Sequence, residues 1–297
     1  MKRTLVAAAV LAVCAGLLGG CGTSVQTSLG PPSFNYENAE RYAAGGADIS
    51  AAVERVEIQW LSGSVRVADH GEDVVRFLEE ANRAMTGDES VRCWLDGATL
   101  RIQFCKSGAR ILNGLEKELT LLLPEELMLK ELKISSVSAG VSVDSIRAEA
   151  LKVSAVSGGV EAAGCAIAKS ADFDTTSGTV NAELIGSLRE LRASTVSGRT
   201  SIAAQRIGEV EMESTSGDLL LSVEQTPDRI DVDTVSGAVT LVLPEDAGVT
   251  LRYGTVSGSC SSELPGRADG KRTVFGDGAC ACSVDTTSGN LRIRKHS

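Results

Sequence analysis

The sequence predicts an all-β solenoid, and three observations carry that prediction. The first is a Val/Thr-Ser-Gly turn that returns along the chain, with its serine at Ser138, Ser157, Ser177, Ser197, Ser216, Ser236, Ser257 and Ser288. The first seven stand 19, 20, 20, 19, 20 and 21 residues apart, and a fixed period near twenty is the mark of stacked coils. The second is strict alternation on both sides of each turn. Six and four residues before the serine stand pairs such as Leu151/Val153, Val210/Met212 and Ile230/Val232; three and five residues after it stand Val160/Ala162, Leu219/Leu221 and Val239/Leu241. These are two strands, one either side of a bend. The third is composition: 43% hydrophobic but only 3% aromatic, a core built from Val, Leu, Ile and Ala.

Taken in order, residues 1–20 read as an export signal, with Lys2 and Arg3 before a fourteen-residue apolar run at 5–18 that is short for a membrane span. The run ends in Leu18-Gly19-Gly20-Cys21, which resembles the bacterial lipobox, so Cys21 is expected to be lipidated and to become the first residue of a lipoprotein. An ordinary secretory signal cut near this point is the alternative. Residues 21–52 are rich in Ser, Thr, Gly, Pro, Asn and Ala and are expected to carry the lipid and a tether. Residues 53–297 are expected to form one β-solenoid domain, irregular over 53–130 and regular over 131–297. In the irregular part Val56, Ile58, Ser62-Gly63, Val65 and Val67 already fit the repeat, with Trp60 in place of a small residue. Strands are expected at 74–78, 91–95 and 100–104, a hairpin turn at Asp96-Gly97, a loop or short helix over 79–92, and a further coil at 119–124 preceding Ser138.

Within each repeat, inward residues fall at even offsets before the serine and odd offsets after it, so the bend must absorb one residue. Glycine is expected to do this through backbone angles that other residues resist, while the serine points inward. The unit Ser138-Ala139-Gly140 departs from the pattern. A third, shorter side closes each coil, anchored by Ile146, Ile167, Leu188 and Ile207. One coil cannot offset its own backbone entropy, so folding is expected to be collective over at least three.

The residues 42–45, the stretch 56–67 around Trp60-Leu61-Ser62-Gly63, Asp96-Gly97 with 100–104, and the tandem turns together resemble the putative-adhesin family of bacterial β-strand-repeat proteins, a family of unknown function. The resemblance covers nearly all of the chain after the leader. It implies a right-handed parallel β-helix on an envelope protein, and it brings no catalytic residues.

The formal charge of −10 argues against nucleic acid, which needs clustered Lys and Arg, and against polybasic attachment to anionic lipid. His70 and His296 have no nucleophile or base placed with them, and no cofactor is implied. On the outward face of the first limb, Glu211 and Glu213 should stack beside Asp231 and Asp233, four carboxylates that could hold a hard cation or ligand, or pair an acid with a base. A solvated acidic face relieved by Arg192 and Arg252 is the alternative. The residues before each serine, from Val137 to Thr287, form a β-branched corner stripe, either a contact surface or simple strand propensity. Cys260 with Cys280 or Cys282 could staple the insertion at 263–279; no Cys-x-x-Cys pair suggests zinc.

The sequence therefore points to a non-enzymatic, lipid-anchored β-solenoid on the outer face of a bacterial cytoplasmic membrane, with an adhesin-like role toward an envelope protein or glycan. A polysaccharide-active enzyme of the parallel β-helix type and a purely structural spacer are the competing readings.

Overall fold

The computed structural model describes residues 24–26, 33–46, 48–110 and 114–296; the predicted export signal and Cys21 lie outside them. The chain winds into parallel coils with strands that continue around corners, as in Val160–Thr175, Val180–Thr195 and Thr200–Ser214. Each coil pairs in register with the next, so Leu151, Ala171, Leu191, Val210 and Ile230 form one continuous inward column. These residues, the column two positions on, and the third-side anchors Ile146, Ile167, Leu188 and Ile207 are all buried in a single core. The inward pattern fails only at the Ser257 coil, where Cys260 and Ser262 are exposed. Among the described residues there is no α-helix, only a short 3-10 turn at Ala39–Arg41, and 79–92 holds the end of a strand and a loop rather than a helix.

The coils do not stack in chain order at either end. The strand Arg55–His70 lies between the Ser138 coil on one side and Thr99–Gln103 with Lys117–Pro124 on the other. The coil at 119–124 therefore precedes Ser138 in sequence but sits one rung further out in space. At the opposite end Cys280–Thr286 and Leu291–Lys295 insert between the Ser236 coil and the Ser257 coil. The physical reason is that insertion gives the last coil parallel partners on both faces. Period-twenty spacing cannot reveal this, because any two coils have compatible registers.

The turns work differently from the expectation. The serine is exposed, and its hydroxyl and amide both donate to one carbonyl of the neighbouring rung: Ser157 to Val137, Ser177 to Val156, Ser197 to Thr176, Ser216 to Val196, Ser236 to Thr215 and Ser288 to Val235. The inward hydroxyl lies two residues earlier. Ser214 Oγ donates to the Gly217 carbonyl (2.9 Å) and accepts from the Gly217 amide (2.8 Å), and Thr195, Thr234 and Thr286 accept from Gly198, Gly237 and Gly289 in the same way. Glycine is required for space rather than for dihedral freedom in most coils. A Cβ on Gly198 would stand 1.7 Å from the Gly178 carbonyl oxygen, and one on Gly217 the same distance from that of Gly198. Positive φ occurs in this column only at Gly63 and Gly158.

Antiparallel strands cover the N-terminal end. Val75–Ala81 pairs with Lys117–Pro124, and Arg92–Asp96 pairs with Thr99–Gln103 through the expected hairpin, with Gly97 at φ 60°. Outside these lie Asp48–Ile49 and Ala43–Ala44. Segments expected in the tether thus form the outermost strands, and Tyr36 binds Ser107 Oγ through its amide (3.0 Å). At the other end the hairpin of Gly266–Asp269 and Arg272–Phe275 covers part of Val249–Gly254. Such covers shield edges that would otherwise template further pairing.

Candidate functional site

Because inward and turn side chains are occupied in stacking, the variable chemistry lies on outward columns. The register sets Arg192 beside Glu211, Glu211 beside Asp231, Glu213 beside Asp233, and, through the inserted coil, Asp233 beside Asp285. Asp172 and Asp174 stand on the far side of Arg192 and Ser194. The structure therefore brings the four predicted carboxylates together and lengthens the column by Asp285, which chain-order stacking would have placed a rung further away. Arginines neutralise its margins: Arg192 pairs with Glu190 (2.5 Å) and Glu211 (3.3 Å), Arg229 with Asp231 (2.7 Å), and Arg252 with Asp285. Glu213 is half-buried, and desolvation together with the charges of Glu211, Asp233 and Asp174 pushes its carboxyl above the ordinary range. Asp172 and Asp174 are raised as well, chiefly by burial. Among the described residues no three His, Cys, Asp or Glu side chains converge as a metal site.

The corner stripe faces outward as the parity requires. Val137, Val235, Val256 and Thr287 are its exposed members, and the carbonyls of Val137, Val156, Thr176, Val196, Thr215 and Val235 accept the turn-serine hydroxyls, so this column also holds the rung ladder in place.

Among the described residues Cys93, Cys105, Cys165, Cys260, Cys280 and Cys282 are free thiols. Cys260 aligns with Leu291 on the limb after the turn, whereas Cys280 and Cys282 align with Val249 and Leu251 on the limb before it. In this structure all three are free thiols, Cys260 exposed on one limb and Cys280 and Cys282 buried on the other. Burial pushes the Cys280 thiol up to about 11.

Two features were not found by reading the sequence. An acidic groove of about 400 Å³ follows the loops that lead into the last coils, with Glu224, Asp228, Asp246 and Asp277 along it. Its signal was the Asp-, Pro- and Gly-rich character of those loops, but their juxtaposition depends on the inserted coil. The second is Lys117, fully buried beneath the N-terminal cover. Its ammonium donates to Glu79 Oε1 (2.5 Å), the Glu89 carbonyl (2.8 Å) and the Phe104 carbonyl. It lies 4.1 Å from the Phe104 ring centroid and 5.0 Å from that of Trp60. All three of its protons have acceptors, and desolvation holds its pKa below the usual lysine value. Lys117 shares the parity of buried Leu119, Leu121 and Leu123, so alternation alone marks it as inward. Lys117 is aligned with Gly63 and continues the glycine column on the last parallel rung, beneath the antiparallel strand Val75–Ala81. His70 is engaged with the Val74 carbonyl in its own loop (2.7 Å).

A family model, Toastrack DUF4097, matches residues 53–294. Among solved structures, a "putative cell adhesion protein" from Clostridium sporogenes ATCC 15579 is 11% identical, over 86% of this chain and 100% of its own, with a TM-score of 0.29. A "putative lipid binding protein" from Parabacteroides distasonis ATCC 8503 is 12% identical, over 85% of this chain and 96% of its own, with a TM-score of 0.44. A search of curated proteins gives no match.

Proposed function

The chain belongs to the Toastrack family, and from that premise we propose that it is a lipid-anchored, non-enzymatic solenoid that presents its outward columns to an envelope protein or glycan. The supporting observation is the division of labour between columns. Turn serines donate from rung to rung, inward Ser and Thr hydroxyls accept from the turn-glycine amide of their own coil, and those glycines pack against the neighbouring rung's carbonyl, while the outward positions change from coil to coil. Such a scaffold offers a long surface of strands about 4.8 Å apart whose chemistry varies freely without cost to the stack. The lipid is placed on Cys21, at the outer face of the cytoplasmic membrane; Cys21→Ser should release the protein from the membrane fraction, and retention would contradict the anchor. The binding role is tested by photo-crosslinking from positions 213 and 235 on intact cells. A discrete partner captured from one of these supports it, and no adduct from any outward column contradicts it.

One observation favours a second reading. Glu213 is held above the ordinary carboxyl range beside Asp233, a pairing that glycan hydrolysis uses as acid and base. Cleavage of a glycan by the wild type, lost in Glu213→Gln and Asp233→Asn, would establish that reading in place of the first.

A further inference from the structure

Aromatic side chains are scarce in this protein, with two Trp, three Tyr and five Phe in all, yet both Trp and two of the Tyr, Tyr36, Tyr42, Trp60 and Trp94, stand at the N-terminal end. Trp60 is buried. Trp94, on the strand Arg92–Asp96, is half-buried and faces outward beside Arg101, its partner across the hairpin. The Arg41 guanidinium lies 5.2 Å and that of Arg101 5.7 Å from the Trp94 ring centroid, and Tyr42 meets the ring edge-on at 5.6 Å. Arg41 and Tyr42 immediately precede Ala43–Ala44, the outermost strand at this end of the stack.

The position of the patch relative to the chain start is decisive. Ser24 aligns with Asn35 in an antiparallel pair, and the next residue, Tyr36, is docked on Ser107. Cys21 precedes Ser24 by three residues, a reach of at most about 10 Å. A lipid on Cys21 would therefore enter the bilayer next to the N-terminal cap, not at the end of a long tether. Trp and Tyr favour the headgroup zone, where one side of the ring is apolar and the other wet, and guanidinium groups suit phosphate.

We propose that the patch of Arg41, Tyr42, Trp94 and Arg101 rests in the headgroup zone of the phospholipid bilayer, so that the solenoid stands on its N-terminal cap with the Ser257 coil outermost. This rests on the lipid-anchor reading. The contact is interfacial rather than electrostatic, because acidic partners already balance the cations: Glu57 and Asp96 for Arg101, and Glu40 for Arg41.

The test uses the full mature protein on phosphatidylcholine vesicles containing acyl-brominated lipid, after flotation has shown attachment. If the native protein does not float, the anchor reading fails; a hexahistidine tag at residue 21 on nickel-chelating lipid then allows the patch to be tested by itself. The expected result is quenching of tryptophan emission that persists without anionic lipid and in high salt, and that disappears in Trp94→Phe while attachment is unchanged. Arg41→Ala with Tyr42→Ala should reduce the quenching at equal attachment. Attached protein whose emission is not quenched, or Trp94 emission that responds to peptidoglycan fragments but not to vesicles, would overturn the proposal.

Discussion

Gly198 illustrates how a recurrent residue can be misassigned its reason. It has no positive φ, but any side chain there would collide with the Gly178 carbonyl at 1.7 Å. Gly198→Ala should therefore destabilise the domain by about 1–3 kcal/mol or more, as overpacking does, whereas Gly140→Ala, with nothing within 4 Å of its new Cβ, should stay within about 0.5 kcal/mol. Urea melts of both variants check the contrast. The inward hydroxyls make a related prediction: Ser214→Ala leaves the buried Gly217 amide without its acceptor and should cost about 1–3 kcal/mol in the same melts. Glu89 supplies a pH signature. It is buried, and bonds from Arg83 and then from the Thr86 amide lower its pKa from 4.5 to about 2. A folded-state pKa depressed below the unfolded one gives stability that is present above about 4.5 and lost as pH falls toward about 2. The difference in stability between wild type and Glu89→Gln should thus shrink over that window; a difference independent of pH would contradict the pairing with Arg83. The serine and glycine columns were legible as recurrences in the sequence, whereas the inward Ser/Thr column two residues before the turn serine emerges only from the structure. Which of them turned inward was misread at the serine, because parity was counted from the wrong side of the bend.

At the scale of elements, the inserted last coil makes a strong claim. Val249–Gly254 and Cys260–Ser262 find parallel partners only in Cys280–Thr286 and Leu291–Lys295. A chain truncated after residue 279 should lose the Ser257 coil as well, so that limited proteolysis trims it back toward residue 245 while the coils from 55 to 243 resist. Stacking in chain order would leave residues 249–262 protected. The covers at the N-terminal end were partly legible: the strands near 75 and 92 and the Asp96-Gly97 hairpin follow from alternation and turn chemistry. Their antiparallel placement over the first coil does not follow, since it depends on contacts far apart in sequence. The outermost strands Ala43–Ala44 and Asp48–Ile49 are only two residues each, too short for any periodicity to show within a polar stretch.

The whole molecule follows from one rule applied repeatedly: hydroxyls and glycines join rung to rung, apolar columns fill a shared core, and outward columns are left to vary. The regular coils, their inward pairs and their third-side anchors were readable from the sequence because each is a local recurrence. The coil order at both ends, the lengthened acidic column, the groove at the loops before the last coils and the buried Lys117 cluster were not, because each is fixed by which coil lies beside which. The stacking order is consequently the claim on which the site geometry most depends. Turn serines of adjacent coils are exposed and about 4.8 Å apart, within the span a disulfide requires. Paired substitutions can therefore read the order directly, with crosslinks located by peptide mass under mild oxidation. Ser236→Cys with Ser288→Cys should crosslink readily, and Ser236→Cys with Ser257→Cys should not. The opposite outcome would contradict the inserted coil and the acidic column built on it.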